Sequence, residues 1–147
     1  MTADRVESLR RFLFWVLVLG FAGTETELVL LEHYEDPSQL VPLVLIAVAS
    51  GALVWHAWRP GAGSRRAIQA LMGSFMLAGV IGLALHFRGA AEFQREIDPG
   101  IGNWSLVKKV MRSKAPPLLA PGVMLQLGLV GWAYAASSRE PGGSERI

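Results

Sequence analysis

The chain has 147 residues, 52% of them hydrophobic, with a formal net charge of only +2. A soluble domain of this length would not carry four long apolar runs, so the composition indicates an integral membrane protein. Cysteine is absent, which excludes disulfides, thiolate metal sites and thiol catalysis, and the dispersed basic residues argue against a nucleic-acid partner.

The four apolar runs predict the architecture. Each has about 20 residues, and at roughly 1.5 Å rise per residue such a helix crosses a bilayer core of about 30 Å. The predicted spans are residues 12–31, 40–58, 67–87 and 118–136. The connections are mostly short, so the fold class is all-α: one membrane domain over residues 1–147, built as an antiparallel four-helix transmembrane bundle.

Small residues at helical spacing predict where these helices touch. Ser74, Ala78 and Gly82 lie four residues apart in the third run, and such a stripe lets another helix approach closely. Gly131 and Ala135 in the fourth run repeat the pattern, as do Ala47 and Gly51 in the second. We expect these stripes to form internal contacts of the bundle.

The longest connection, residues 88–117, contains an amphipathic pattern. Apolar and basic residues alternate there at helical spacing, which predicts a short helix lying in the membrane interface. Its residues are Trp104, Val107, Lys108, Lys109, Val110, Met111 and Arg112. A solvated loop helix without lipid contact is the alternative. After the last span, residues 137–147 form a polar tail that we predict to be disordered.

The distribution of basic residues predicts the orientation. Eight of the 14 Lys and Arg residues lie in the N-terminal lead, the 59–66 turn and the tail, whereas the acidic loop 32–39 has none. Short loops rich in Lys and Arg stay on the cytoplasmic side. We therefore predict a multi-pass protein of the cell (inner) membrane with both termini in the cytoplasm, and with loops 32–39 and 88–117 together on the outer side.

The most acidic stretch, residues 23–42, holds five carboxylates and one of the three histidines. Glu25 lies within the first span, about 9 Å along the helix from its end. An ionisable group at that depth is rare and tends to face the bundle interior. Glu32 is seven residues on, on nearly the same helical face, whereas Glu27 is about 200° away from Glu25. We expect Glu25 to face the bundle and to pair with His86 or Arg88.

The histidines indicate a candidate polar site. His33 ends the first span and His86 ends the third, so an up-down bundle brings both to the outer face, whereas His56 lies at the inner face. With Glu25, Glu32, Arg88 and Glu92 they form the predicted site. His33 and His86 with Glu25 or Glu32 would suit zinc or manganese, but the spacing matches no metal motif. We expect no cofactor, and a divalent metal remains the alternative.

Two classes of function are compatible with these features. The first is a small non-enzymatic membrane protein, an accessory or scaffold subunit that meets another membrane protein through an outer cap. The cap comprises the acidic loop 32–39 and the basic loop 88–117, whose charges complement each other. The alternative is an ion, proton or metal handling protein, or a membrane enzyme, that uses the polar site at the outer ends of the first and third spans.

Overall fold

The computed structural model describes residues 3–113 and 118–137. In these two ranges the secondary structure consists of five α-helices without any strand. The helices are α1 (Ala3–Leu30), α2 (Pro37–Trp58), α3 (Ala62–Ile97), α4 (Asn103–Met111) and α5 (Leu119–Ser137). Helices α1, α2, α3 and α5 are long and apolar enough to cross a membrane, which agrees with the four predicted spans.

Several boundaries differ from the prediction. Helix α1 begins near the N-terminus instead of at residue 12, and α3 has 36 residues, so at 1.5 Å per residue it is about 54 Å long. The last third of α3 therefore occupies part of what was predicted as a loop. Helix α5 includes Ser137, and the rest of the predicted disordered tail, residues 138–147, lies outside the described residues.

The start of α2 is also earlier than predicted. Pro37 occupies the first turn, where its missing N–H costs nothing, and the Oε1 of Gln39 accepts hydrogen bonds from the N–H groups of Glu35 and Asp36. Pro42, expected in the first turn, consequently lies inside the helix. Because proline has no N–H, the carbonyl of Ser38 lacks its usual partner four residues on.

Helix α4 packs against the last part of α3. Its buried residues are Leu106 and Val110, which form a small cluster with Ala91. Trp104, which the sequence placed on the apolar face, is 70% exposed. The Nζ of Lys108 lies over its ring, 5.2 Å from the ring centroid. Of the predicted apolar residues, Val110 is buried, Val107 and Met111 are partly buried and Trp104 is exposed, while Leu106 is buried without having been predicted. This leaves Trp104, Lys108, Lys109 and Arg112 exposed.

Helix α5 lies between α1 and α3 and contacts both. Its buried residues recur every three or four positions, as one helical face: Pro121, Met124, Leu127, Gly128, Gly131, Tyr134 and Ala135. Against α1, Tyr134 lies beside Phe14, with ring centroids 6.0 Å apart, and Leu127 contacts Gly20. Late residues of α5 thus meet early residues of α1.

Two glycines allow α3 and α5 to touch through their backbones. A Cβ at Gly79 would lie 2.8 Å from the carbonyl oxygen of Pro121, and a Cβ at Gly128 would lie 2.9 Å from that of Met72. The contact at Gly82, from the predicted stripe, is looser, because a Cβ there would lie 3.4 Å from the side chain of Pro121. The predicted stripes have different outcomes. Gly131 and Ala135 of α5 are both buried, the α3 stripe is packed only in part because Ser74 is exposed, and Ala47 and Gly51 of α2 are both exposed, so the second stripe makes no such contact in the described residues.

A buried polar contact closes the turn between α2 and α3. His56 Nδ1 lies 2.7 Å from the Oγ of Ser64, whose hydroxyl is also 3.2 Å from the carbonyl oxygen of Gly61. Both side chains are buried, and the imidazole of His56 meets Tyr134 edge-on at 5.9 Å. This end of the bundle, formed by the turn at residues 59–61, is called the turn end below.

Packing is tight at the turn end and loosens towards the other end. All buried residues of α2 lie from Ile46 onwards, and between Gly79 and Ala91 helix α3 buries none. The first turns of α2, residues 37–45, therefore contain no buried residue. The opposite end, which carries His33 and His86 and is called the histidine-pair end, is open between the helices.

The glycine contacts can be tested by adding a methyl group. We expect Gly79→Ala to lower stability by about 1–3 kcal/mol, because the backbone of Pro121 cannot move aside as a flexible side chain would. Thermal unfolding in detergent measures the change. The matched control is Gly51→Ala, since nothing lies within 4 Å of a Cβ there, and it should stabilise α2 by up to about 1 kcal/mol. Equal losses in both variants would contradict the close approach.

Candidate functional site

The end of α1 determines where His33 lies. Two hydrogen bonds close the helix: His33 N–H donates to the carbonyl of Leu28 (2.9 Å), and Glu32 N–H donates to that of Val29 (3.0 Å). This is the Schellman pattern, which needs a left-handed residue, and Glu32 takes that conformation with φ 53°. The reversal of the chain brings His33 back over the end of the helix.

His33 then meets His86 of α3. Their ring centroids are 6.2 Å apart and their planes differ by 14°, so the imidazoles are nearly parallel. His33 is half-buried and His86 is exposed. Both histidines were predicted to lie at one end of the bundle, and the structure puts them in contact.

The environment of His33 disfavours its protonated form. Burial lowers the pKa of the His33 imidazole, and the positive charge that His86 can carry lowers this pKa further. At neutral pH His33 is therefore an uncharged imidazole, with one nitrogen that donates and one that accepts a hydrogen bond.

Beneath the histidine pair lies a cavity of about 970 Å³. It extends along α3 from Ala90 past His86 to Ser74, twelve residues before His86, which is about 18 Å on a helix. All four long helices contribute to its wall. The apolar wall consists of Leu28, Leu31, Val41, Pro42, Leu45, Leu77, Ala78, Ile81, Leu85, Ala90, Ala120, Pro121, Val123 and Met124, together with Gly82 and Gly89.

Polar residues gather mainly at the histidine-pair end of this cavity. They are Thr24, Glu27, His33, Asp36, Ser38, Gln39, Ser74 and His86. Asp36 immediately precedes α2, so its position follows from the start of that helix at Pro37. The cavity thus has a long apolar wall and a polar rim, which is the arrangement of sites that bind molecules with one polar end.

Glu25, which was predicted to face the bundle, is half-buried, and its Oε2 is buried. Within the described residues this oxygen has no hydrogen-bond partner, so the expected pairing with His86 or Arg88 is wrong for this part of the chain. Glu27, two residues on, is exposed and lines the cavity instead.

The other predicted site residues lie outside the cavity wall. Glu32 is exposed in the turn after α1, so it does not share a helical face with Glu25. Arg88 and Glu92 pair with each other on the surface of α3, with 2.8 Å between Nε and Oε1. His33 and His86 are thus the two members of the predicted six that line the cavity.

The predicted metal set does not come together in the described residues. No group of three or more His, Asp or Glu side chains within residues 3–113 and 118–137 is placed to hold a metal ion. The two stacked histidines provide a pair of imidazoles, and neither Glu25 nor Glu32 lines the cavity with them.

Asp36, Ser38 and Gln39 belong to the site but were not predicted from the sequence. A signal was available, because Asp36-Pro37-Ser38-Gln39 is a helix-start pattern, with a capping residue, a proline in the first turn and a glutamine three positions on. It would have placed the start of α2 at Pro37. Glu27 had no such signal, since helical spacing cannot show which side of α1 is covered.

The chain was compared with known families, curated proteins and solved structures, and none of them matches it. The candidate site therefore rests on its own geometry.

The histidine pair should make stability depend on pH. The pKa of His33 is lowered in the folded state, so below the unfolded value of about 6.5 the unfolded chain binds a proton first and stability falls. We expect the native protein to lose more stability between pH 7.5 and 5.5 than a His33→Gln variant. Thermal unfolding in detergent at several pH values measures this.

The comparison variant is His86→Gln. It removes the second positive charge but leaves His33 half-buried, so it should reduce the dependence on pH only in part. The same dependence on pH in the native protein and in His33→Gln would show that the lowered pKa of His33 has no role in it.

Proposed function

We propose that this protein is a multi-pass protein of the cell membrane that binds an amphipathic small molecule in the cavity beneath His33 and His86. The proposed activity is non-enzymatic binding, with neither a chemical step nor a cofactor. It differs from the alternative predicted from the sequence, an ion, proton or metal handling protein or a membrane enzyme, but it uses the same end of the bundle. The observation that carries it is the cavity itself.

The size and lining of the cavity support an amphipathic ligand. Its volume, about 970 Å³, is at the upper end of the range of about 300–1,000 Å³ for small-molecule sites. The depth of about 18 Å along α3 suits an extended hydrocarbon chain. Leu77, Ile81 and Leu85 line the cavity and are at least half exposed, so a chain could enter from the bilayer between the helices.

The proposal includes an antiparallel arrangement of the four spans. Three sets of contacts support it: Phe14 beside Tyr134, Gly79 against Pro121, and Gly128 against Met72. From Met72 to Gly79 the chain moves forward along α3, while the α5 partner moves back from Gly128 to Pro121, as antiparallel neighbours require. The short turn at residues 59–61, between α2 and α3, is consistent with neighbours of opposite direction.

We further propose that the histidine-pair end is the outer end and that both termini are cytoplasmic. The support is the distribution of Lys and Arg, since the connection at residues 31–36 has none and the turn end has Arg59, Arg65 and Arg66. Helix α4 would then lie near the outer interface. Its exposed Trp104 is a residue type enriched at membrane interfaces. Lys108, Lys109 and Arg112 suit the polar face of an interfacial helix, but by the positive-inside rule these bases count against the outer side.

A second candidate function, an accessory or scaffold subunit, is favoured by the charges of the predicted cap. Within the described residues no ion pair joins Glu32, Glu35 or Asp36 to a base of α4. The two parts of the cap do not neutralise each other there as the sequence predicted. Exposed charges of both signs could instead meet another membrane protein.

The ligand-binding proposal can be tested by filling the cavity. Ser74 lines the cavity and is exposed, so a larger side chain there enters open space and does not overpack the core. We expect native protein in nanodiscs of neutral lipid to immobilise a spin-labelled long-chain alcohol, measured by electron paramagnetic resonance. In Ser74→Phe the immobilised fraction should fall to that of empty nanodiscs.

Ala84→Phe is the matched control. Ala84 is exposed on the same helix, at the height of the cavity, but it does not line it. This variant should immobilise the probe as the native protein does. If the native protein does not immobilise the probe, or if both variants lose it equally, the cavity is not a binding site and the accessory-subunit proposal gains.

The orientation is tested by introduced cysteines, each of which is the only one in the chain. Ser38 and Gly63 are both exposed, at the histidine-pair end and the turn end respectively, whereas Ser64 is buried and would not react from either side. In intact cells we expect Ser38→Cys to react with an impermeant thiol reagent and Gly63→Cys to stay unlabelled. The reverse pattern would invert the proposed topology.

A further inference from the structure

The charges on the cavity wall have one sign. Glu27 of α1 and Asp36 before α2 both line the cavity and are exposed. Among the described residues neither Lys nor Arg lines it. Apart from the two histidines, the formal charge that a ligand meets on this wall is therefore negative.

Neither carboxylate is neutralised by a base in the described residues. The salt bridges there join Glu7 to Arg10 and Arg11, and Arg88 to Glu92. Arg88, which lies close to His86 in the chain, is thus engaged with Glu92 on the surface and is absent from the wall. In the described residues the carboxylates of Glu27 and Asp36 thus have no salt bridge to a Lys or Arg and are available to a ligand cation.

The uncharged groups on the wall add hydrogen-bond acceptors. Pro42 has no N–H, so the carbonyl of Ser38 lacks the donor that a helix normally supplies four residues on, and both residues line the cavity. The half-buried His33 is uncharged at neutral pH, because its pKa is lowered, and its unprotonated nitrogen accepts a hydrogen bond. Ser74 lies far from this rim, and its hydroxyl donates to the carbonyl of Ala70.

We propose that the cavity selects an amphiphile with a cationic head group, such as a protonated long-chain amine. This inference rests on the proposed function, and it adds the chemical class of the ligand. The hydrocarbon chain would lie along the apolar wall, and the ammonium group would pair with Glu27 or Asp36 and donate to the acceptors of the rim. An anionic head group would instead meet two like charges and, among the described residues of the wall, neither Lys nor Arg.

The test compares three spin-labelled probes with the same chain: an amine, an alcohol and a carboxylate. Binding is measured by electron paramagnetic resonance at pH 7.5 with native protein in nanodiscs of neutral lipid, with empty nanodiscs subtracted. An alkylamine is protonated at this pH, as lysine is. We expect the amine to bind more tightly than the alcohol, and the alcohol more tightly than the carboxylate.

Charge-removing variants identify the residues responsible. Glu27→Gln and Asp36→Asn should each weaken binding of the amine by about fivefold, the upper end for one exposed charge pair, and leave the alcohol unchanged. Glu35→Gln is the matched control. It removes an equal charge from the same connection, but Glu35 is absent from the wall, so binding of the amine should change little.

The possible results distinguish the preference for a cationic head group from the binding of an amphiphile in the cavity. Equal binding of amine and alcohol, or tightest binding of the carboxylate, would overturn the cationic preference and leave the cavity as a binding site. An equal loss in Glu35→Gln and Glu27→Gln would also overturn it, because the attraction would then be a general effect of surface charge. Binding of none of the three probes would overturn both proposals.

Discussion

The close approach of α3 and α5 is the contact on which the other features of this bundle depend. At Gly79 and Gly128 the two backbones come so near that a single methyl group would lie within about 3 Å of a carbonyl oxygen. Lipid tails are as apolar as leucine side chains, so helices in a bilayer gain little from burying apolar surface and associate largely through such packing. Helix α5 is held against α3 on one side and α1 on the other, and α3 in turn contacts α2 and α4.

The cavity follows from where this packing ends. Helix α2 is tied to α3 at the turn end by the contact of His56 with Ser64, and it carries no buried residue before Ile46. A helix fixed at one end and unpacked at the other leaves space between itself and its neighbours. At the open end the left-handed Glu32 reverses the chain and brings His33 to His86, so polar groups are placed above an apolar wall. The shape of the site is thus a consequence of the fold.

Glu25 has a buried carboxylate oxygen but does not line the cavity. Its Oε2 has no partner among the described residues, and an unsatisfied buried acceptor costs about 1–3 kcal/mol. The rim of the cavity uses Glu27 and Asp36 instead, both of which are exposed. From the sequence, Glu25 was the stronger candidate for the site because it lies deeper in the span. In the structure Glu27, two residues on, lines the cavity and Glu25 does not.

The amino-acid sequence by itself determined that the chain has four apolar helices suited to a membrane, because the length and hydropathy of a span are local properties. It also predicted that His33 and His86 lie at the same end of the bundle, although His86 lies inside α3, which continues to Ile97, and not at its end. Tertiary structure alone decided that their rings stack, that α4 buries Leu106 and Val110 instead of Trp104, and that Glu27 lines a cavity while Glu25 does not. Each of these depends on the rotation and tilt of one helix against another. That geometry is set by backbone contacts such as Gly79 with Pro121, between residues far apart in the chain, which helical spacing does not encode.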